Sequence, residues 1–288
     1  MASSLTSPGL IKAANDALVA ATPDLNIARL FAFDMSDEFA TPGTTVKVPI
    51  AKAGTVQDFN PSTNDFENTD GTVTYATVTL NKKPKSTFEF AAFDKLEAPN
   101  APYWARVRDA AANGVKASIS TTIGGLFTAA ACTGGKAVVA SVTKKTIAGL
   151  RAECLGRTAD TVVALCPAYF NELLSLLDAN ILGTADAIRT GYIGGLYGFK
   201  AVVQMTDLDS GVLGAIIPAD SVAIASRAFP VADEGAYSEM GTVTDEYGFT
   251  LTVMRHGSPA KGTGFINVAA LWGAALVQPG AIKYIAAS

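Results

Sequence analysis

Two stretches in the N-terminal half of the chain alternate apolar and polar residues most clearly. Residues 44–50 and 72–80 follow a period of two, which predicts a pair of half-exposed β-strands. The segment 54–71 between them is polar, acidic and rich in Asn, Asp, Thr and Pro. A two-stranded hairpin is marginal alone, and so long a connection is unusual in a compact domain. We predict a long tongue that lies on a neighbouring subunit; a surface meander of an ordinary β domain is the alternative.

A third strand is predicted at 86–90, followed by the longest regular element of the chain. From Tyr103 to Thr128 the apolar residues recur every three or four positions, which predicts a helix of about 25 residues, roughly 38 Å long. The other side of this helix is basic. The apolar stripe consists of Trp104, Val107, Ala111, Val115, Ile119, Ile123 and Leu126.

The C-terminal half reads as a mixed α/β unit. A helix is predicted at 144–155, and a buried strand at 161–166 precedes a helix from Pro167 to Leu177. Residues 1–40 contain two short apolar segments, which indicate an arm that lies on another surface. Further strand or turn candidates are 199–205, 212–217, 221–226, 248–255 and 281–285.

Composition adds a hint of assembly. Hydrophobic residues make up 49% and charged residues 17%, against a usual charged share of about 25%. So few charges leave apolar surface that burial between subunits would cover, although a compact α/β enzyme with a large core is the alternative. A net charge of −4 argues against affinity for nucleic acid or anionic membranes. We expect neither a transmembrane segment nor a secretory signal.

The search for reaction chemistry turns up no complete motif. His256 is the single histidine, and no GxSxG motif accompanies it. The glycine-rich segments 132–137 and 191–198 match neither a P-loop nor GxGxxG. Three cysteines without CxxC spacing predict reduced thiols, two of them in the core. We therefore expect no enzyme activity, cofactor or metal. These cysteines are Cys132, Cys154 and Cys166.

Two segments carry a resemblance to a known family. Residues 186–203 read Asp-Ala-Ile-Arg-Thr-Gly-Tyr-Ile-Gly-Gly-Leu-Tyr-Gly-Phe-Lys-Ala-Val-Val, which is similar to a G-x-I-G-x-I/L-x-G-F-x-V segment of many phage coat proteins. Residues 271–281 resemble the closing G-x-A-x-x-x-P-x-A strand pair of the same proteins. Together with the order of elements, the chain resembles the tailed-bacteriophage major capsid protein, whose fold is the Hong Kong 97 type.

The resemblance implies an α+β capsid fold with a spine helix in the peripheral domain and an α/β axial domain. It also implies contacts between subunits through the extended loop and the spine helix. The expected contact residues are Lys47, Lys52, Asp58, Phe59, Asp65, Phe66, Arg106 and Arg108. The implied division is an N-terminal arm at 1–40, an extended loop at 41–92, a peripheral domain at 93–140 and 241–280, and an axial domain at 141–240 and 281–288.

The function implied is that of a structural subunit of an icosahedral phage head. Pentamers and hexamers would enclose double-stranded DNA without binding it specifically, in a virion assembled in the host cytoplasm. Residues 1–40 are too short for a scaffolding segment, so we expect a separate scaffolding protein, a portal and possible decoration proteins as partners. The alternatives are an encapsulin-type nanocompartment shell, which has the same fold, and an α/β enzyme with an unrecognised site.

Overall fold

The computed structural model describes residues 28–34, 45–52, 72–91, 114–115, 117–154, 157–177, 192–230, 239–244, 249–258 and 263–287. The described strands are β1 (Ala32–Asp34), β2 (Thr45–Lys52), β3 (Thr72–Thr79), β4 (Lys85–Ala91), β5 (Lys136–Val138), β6 (Thr161–Leu165), β7 (Tyr192–Gly194), β8 (Ala201–Gln204), β9 (Gly214–Pro218), β10 (Val222–Arg227), β11 (Glu239–Thr244), β12 (Thr250–Ser258), β13 (Thr263–Ala269), β14 (Leu271–Leu276) and β15 (Lys283–Ala286). The described helices are α1 (114–115 and 117–124), α2 (Lys144–Gly149) and α3 (Pro167–Leu176), with 3₁₀ turns at Leu150–Cys154, Thr158–Asp160 and Leu196–Gly198.

A six-stranded sheet in the order β5-β15-β9-β6-β8-β7 forms one half of the body. Its central strand β6 runs parallel to β8 and antiparallel to β9. All five residues of β6 are buried, as the continuous apolar run at 161–166 predicts. Alternate side chains of a strand point to opposite faces, so each face of this sheet needs its own cover.

The two faces of the six-stranded sheet belong to two different hydrophobic cores. Val163 and Leu165 point into a core shared with α2 and α3, where Phe170 is fully buried. Val162 and Ala164 point into the opposite core, which α1 covers with its apolar stripe. Helix α2 begins at a capping box, in which the Thr143 hydroxyl accepts from the backbone N–H of Thr146 at 3.0 Å.

The second core is closed by two further sheets, β1-β10-β14 and β11-β12-β13-β4. Trp272 on β14 is fully buried there, edge-on to Phe249. Residues 28–34 also belong to this body, because Phe31 packs edge-on against Phe127 and the Lys200 ammonium donates to the Leu30 carbonyl at 2.7 Å. The described part of the predicted arm therefore lies on the chain's own core.

Helix α1 confirms the stripe at Val115, Ile119 and Ile123, all of which are buried. The predicted end at Thr128 is wrong, because the helical residues stop at 124. Gly124 brings the helix against the segment that follows β8, and a side chain there would collide with the backbone carbonyl of Asp207. The remaining members of the stripe lie outside the described residues, except for half-buried Leu126.

Most predicted strands are confirmed, including the third strand, now β4, and the closing strand, now β15. β13 and β14 follow each other with Ala270 alone between them, and β13 has no counterpart among the predicted strands. Sheet membership cuts across the predicted domain division at four strands: β1 and β10 join the three-stranded sheet, β4 joins the four-stranded sheet, and β5 joins the six-stranded sheet. The domain boundaries stay a prediction.

Candidate functional site

The β2–β3 hairpin is the feature that sets this molecule apart from an ordinary two-layer domain. The strands pair antiparallel over eight residues each, from Thr45 opposite Thr79 to Lys52 opposite Thr72. They form a separate two-stranded sheet, so each strand has one edge outside the ladder. Pro49 in β2 fits such an edge strand, because proline has no backbone N–H to donate.

One face of the hairpin is seated on the body. Val46, Val48 and Val78 are fully buried against the three-stranded sheet, together with Leu80 just after β3. The seat is close, because a side chain at Gly273 on β14 would collide with the backbone carbonyl of Thr79. This inner face is therefore part of the stable body of the single chain.

The opposite face of the hairpin exposes apolar side chains. Val73 is 57% exposed and Tyr75 is 64% exposed, and Pro49, the cross-strand partner of Tyr75, is exposed as well. We call this set, with Lys47 beside it, the outer face. Among the described residues, four large apolar side chains are exposed, and two of them lie here. A small apolar patch with a flanking charge is typical of a surface that another protein covers.

A cleft of 240 Å³ lies between β2 and the body. Its walls are mostly apolar, and its one ionisable lining group is the carboxylate of Asp220, whose backbone is left-handed at φ 61°. A lone carboxylate without a facing base does not make an acid–base pair. The lining residues are Phe33, Pro49, Ile50, Asp220, Val277 and Gln278.

Two of the predicted contact residues fall within the described hairpin. Lys47 is exposed on the outer face, opposite Thr77. Lys52 ends the ladder opposite Thr72. The structure therefore places both on β2, five residues apart. The other predicted contact residues lie outside the described residues: Asp58, Phe59, Asp65, Phe66, Arg106 and Arg108.

Val73 and Tyr75 are interface candidates that the sequence prediction missed. The sequence contained a signal for them, because the apolar residues of β3 shift from odd-numbered to even-numbered positions. Val73 and Tyr75 occupy one face of the strand, and Ala76 and Val78 occupy the other. A strand that is apolar on both faces has two surfaces to cover, and the body covers one of them.

The residues considered for catalysis lie in structural surroundings. The His256 ring stacks on Phe265 with centroids 4.9 Å apart and lies 3.2 Å from the side-chain nitrogen of Asn267, and neither neighbour is a nucleophile or a carboxylate. Cys132 and Cys154 are buried, which confirms two core thiols. Burial raises the pKa of the Cys132 thiol to about 11, so it stays protonated and unreactive at neutral pH.

Two further searches cover the described residues alone. No group of three or more His, Cys, Asp or Glu side chains in them is arranged to hold a metal ion. Within the same ranges, no helix combines the length and apolar character needed to cross a membrane.

Sequence comparison and structure comparison give different outcomes. No protein-family model matches the chain, and no curated protein matches it in sequence. Solved structures do match: the capsid of a native GTA particle covers 93% of this chain and 90% of its own at 13% identity, with a TM-score of 0.59. The capsid of cyanophage P-SCSP1u covers 91% and 88% at 14% identity, with a TM-score of 0.57.

This chain has the fold of phage capsid proteins. The fold that the resemblance implied is thereby confirmed as a mixed helix and strand capsid fold. A virus-like particle from Pyrococcus furiosus has the same fold, matched over 96% of this chain and 99% of its own at 11% identity, with a TM-score of 0.56.

Proposed function

We propose that this chain is the major structural subunit of a tailed-phage head, and that copies of it close into an icosahedral shell of pentamers and hexamers around double-stranded DNA. The observation that carries this proposal is the hairpin with two unlike faces. Its inner face is buried on the body, and its outer face exposes Val73 and Tyr75. A neighbouring copy lying against the outer face would remove both side chains from water.

The energetics suit an assembly built from many weak contacts. Complete burial of one large apolar side chain stabilises by about 1.5–3 kcal/mol. Two such side chains therefore give a contact that is weak for a pair of subunits. Each copy in a closed shell makes this contact twice, once with its own outer face and once as the surface beneath a neighbour's. Linked contacts of this kind reinforce one another without further area at any single site.

The separate sheets support the assignment of different parts of the chain to the proposed domains. In this proposal the six-stranded sheet with α2 and α3 is the axial domain, which faces the symmetry axes of the pentamers and hexamers. The four-stranded sheet and α1 belong to the peripheral domain. Neighbours around a rotation axis meet through two different surfaces of the same chain. A hairpin that lies on its own body and exposes its outer face is suited to such a head-to-tail contact.

The predicted contact residues enter the proposal in two groups. Lys47 and Lys52 lie on the hairpin ladder, and Lys47 flanks the apolar outer face. The others are proposed contacts of the extended loop, Asp58, Phe59, Asp65 and Phe66, and of the spine helix, Arg106 and Arg108.

The charge of the chain suits a wall that encloses DNA without binding it. At a net charge of −4 the subunit lacks the basic field that tight phosphate binding requires. Such a wall would oppose neither packaging nor release of the genome. A separate scaffolding protein, a portal and possible decoration proteins complete the proposed virion, which assembles in the host cytoplasm and has no enzymatic activity of its own.

Electron microscopy of the purified chain, alone and coexpressed with its scaffolding protein, tests this proposal. Closed particles of uniform size are the expected result, and a small soluble species under every condition would contradict it. The match to the Pyrococcus furiosus particle supports a second candidate, a nanocompartment shell. Particles that enclose a cargo protein in place of nuclease-protected DNA would favour that candidate.

A further inference from the structure

Three lysines lie in the short connection between β3 and β4. Residues 81–85 read Asn-Lys-Lys-Pro-Lys, and Lys82, Lys83 and Lys85 are all exposed. We call these three residues the lysine cluster. Because they fall within four positions of the chain, their ammonium groups produce a local positive field. The net charge of −4 conceals this field, since it sums over the whole chain.

The backbone beneath the lysine cluster is fixed. The Lys82 N–H donates to the Trp272 carbonyl at 3.0 Å, and the Trp272 N–H donates to the Lys82 carbonyl at 3.0 Å. The Ala270 N–H donates to the Pro84 carbonyl at 3.1 Å. Trp272 itself is fully buried, so the connection is anchored to the core. The three charges therefore project from a rigid base, which reduces the entropy lost on binding.

The fold does not use the three ammonium groups of the lysine cluster. Among the described residues, none of the three has a hydrogen-bond acceptor or a carboxylate partner for its side chain. Two other lysines do serve the fold: Lys283 pairs with Glu153 at 2.7 Å, and Lys200 donates to the Leu30 carbonyl at 2.7 Å. The charges of the lysine cluster can therefore meet an anion from outside the chain without breaking a contact within it.

Neighbouring charges leave the field of the lysine cluster intact. The described residues 45–52 and 72–91 contain five lysines, and Glu89 is the one acidic residue in them. Glu89 lies on the same face of β4 as Lys85, four residues along, so that their backbones are about 13 Å apart. That separation exceeds the Debye length of about 8 Å at physiological salt.

The side chains around the lysine cluster favour a phosphate contact over a protein contact. Thr79, Asn81 and Thr87 are exposed, and each can donate a hydrogen bond. Lysine, threonine and asparagine are among the side chains that bind phosphate oxygens in protein–DNA interfaces. The buried core of a protein–protein interface is instead apolar. In the described stretch 79–89, no large apolar side chain is exposed.

The lysine cluster is separate from the outer face of the hairpin. Val73 and Tyr75 lie at least seven positions before Lys82 along the chain. An anion bound at the lysine cluster would therefore leave these two apolar side chains free to contact another copy.

We propose that the lysine cluster binds the phosphate backbone of double-stranded DNA, and that it therefore lies on the interior surface of the shell. This inference rests on the proposed function and adds one local contact to a wall that otherwise lacks affinity for DNA. Each neutralised phosphate contributes a slope of about −0.9 to the logarithm of affinity against the logarithm of salt concentration. Affinity from three such contacts falls about fortyfold between 50 and 200 mM salt. A contact of this kind reads no base sequence and is readily released.

A salt series tests the inference, with binding of a labelled DNA duplex to the purified chain measured by fluorescence anisotropy. K82Q/K83Q removes two phosphate contacts, so the salt slope is expected to become shallower by about 1.8. K82R/K83R retains both charges and should retain the slope. K136Q/K145Q neutralises two exposed lysines on β5 and α2, and it has the same net charge as K82Q/K83Q. This control should leave the slope unchanged, and circular dichroism verifies that each variant is folded.

An unchanged slope in K82Q/K83Q, or an equal change in K136Q/K145Q, would overturn the inference. A lower shell yield in K82Q/K83Q with unchanged DNA binding would also overturn it, because that result would assign the lysine cluster to a protein contact. Shell formation is scored separately by electron microscopy. Absence of shells from the wild type would count against the proposed function, whereas the salt slope of the purified chain decides the phosphate contact in either case.

Discussion

The six-stranded sheet and the β2–β3 hairpin cover their apolar side chains in different ways. In β6 all five residues are buried, because α2 and α3 cover one face and α1 with the smaller sheets covers the other. In the hairpin, Val48 is fully buried on the inner face while Tyr75 on the outer face is 64% exposed. The apolar side chains of the six-stranded sheet are covered within a single chain, whereas those of the hairpin are covered on one face only.

The difference separates two properties that mutations usually confound. Side chains around the six-stranded sheet contribute to the folding of the subunit, whether or not it assembles. Side chains on the outer face of the hairpin contribute almost nothing until a neighbour covers them. Substitutions in the two regions should therefore divide between loss of stability and loss of assembly.

Removing a large core side chain beside the six-stranded sheet should have the largest effect. Phe170 on α3 is 1% exposed, and F170A is expected to lower the free energy of unfolding by about 3–5 kcal/mol through lost burial and a residual cavity. Urea unfolding of the unassembled subunit measures this. E172A, at an exposed position of the same helix, serves as the control and should stay within about 0.5 kcal/mol. An equal loss of unfolding free energy in F170A and E172A would contradict the claim that the core beside the six-stranded sheet stabilises the subunit.

Disturbing the seat of the hairpin should have an intermediate effect. A methyl group at Gly273 collides with the Thr79 carbonyl, so G273A is expected to push β3 off the body and to lower stability by about 1–3 kcal/mol. Hydrogen exchange of the Lys82 amide, which donates to the Trp272 carbonyl on β14, should accelerate. G149A is the matched control, because nothing lies within 4 Å of the added methyl and alanine favours the helix. Unchanged exchange in G273A would show that the hairpin is not seated there.

Removing the helix cap that lies beside the six-stranded sheet should have a smaller effect. T143A loses the hydroxyl that accepts from the Thr146 N–H, and a loss of about 1 kcal/mol is expected. T143S retains the hydroxyl and should remain near the wild type. Shell yield should follow stability in both variants, since neither touches the hairpin. A lower shell yield without a lower free energy of unfolding would contradict the separation of stability effects from assembly effects.

Much of the architecture could be predicted, because the spacing of apolar residues along a long run shows which side chains are buried. The alternation at 44–50 and 72–80 identified β2 and β3, and the unbroken apolar run at 161–166 identified β6. Three-residue strands such as β1 and β7 were missed, because they are too short to show a period. β11 was also missed, since Gly241 interrupts its pattern.

The candidate site could be predicted less well than the fold. Alternation shows that a strand has two faces, but it does not show which face the rest of the chain covers. Val73 and Tyr75 emerged as surface residues once the inner parity of β3 was fixed by Val78 against the three-stranded sheet. Lys47 was expected from the resemblance; it is exposed on the outer face, and its contact with another copy stays a prediction.

The most direct test of the account changes the outer face alone. V73T/Y75T keeps strand-favouring residues, and the free energy of unfolding of the unassembled subunit is expected to change by less than about 0.5 kcal/mol. Sedimentation velocity of the same preparation should show shell yield reduced about tenfold or more, because two buried apolar side chains are lost from every contact. T77S, on the same face, is the control. Shells at wild-type yield, or a loss of stability that accounts for the loss of shells, would contradict the claim that this face is made for another copy.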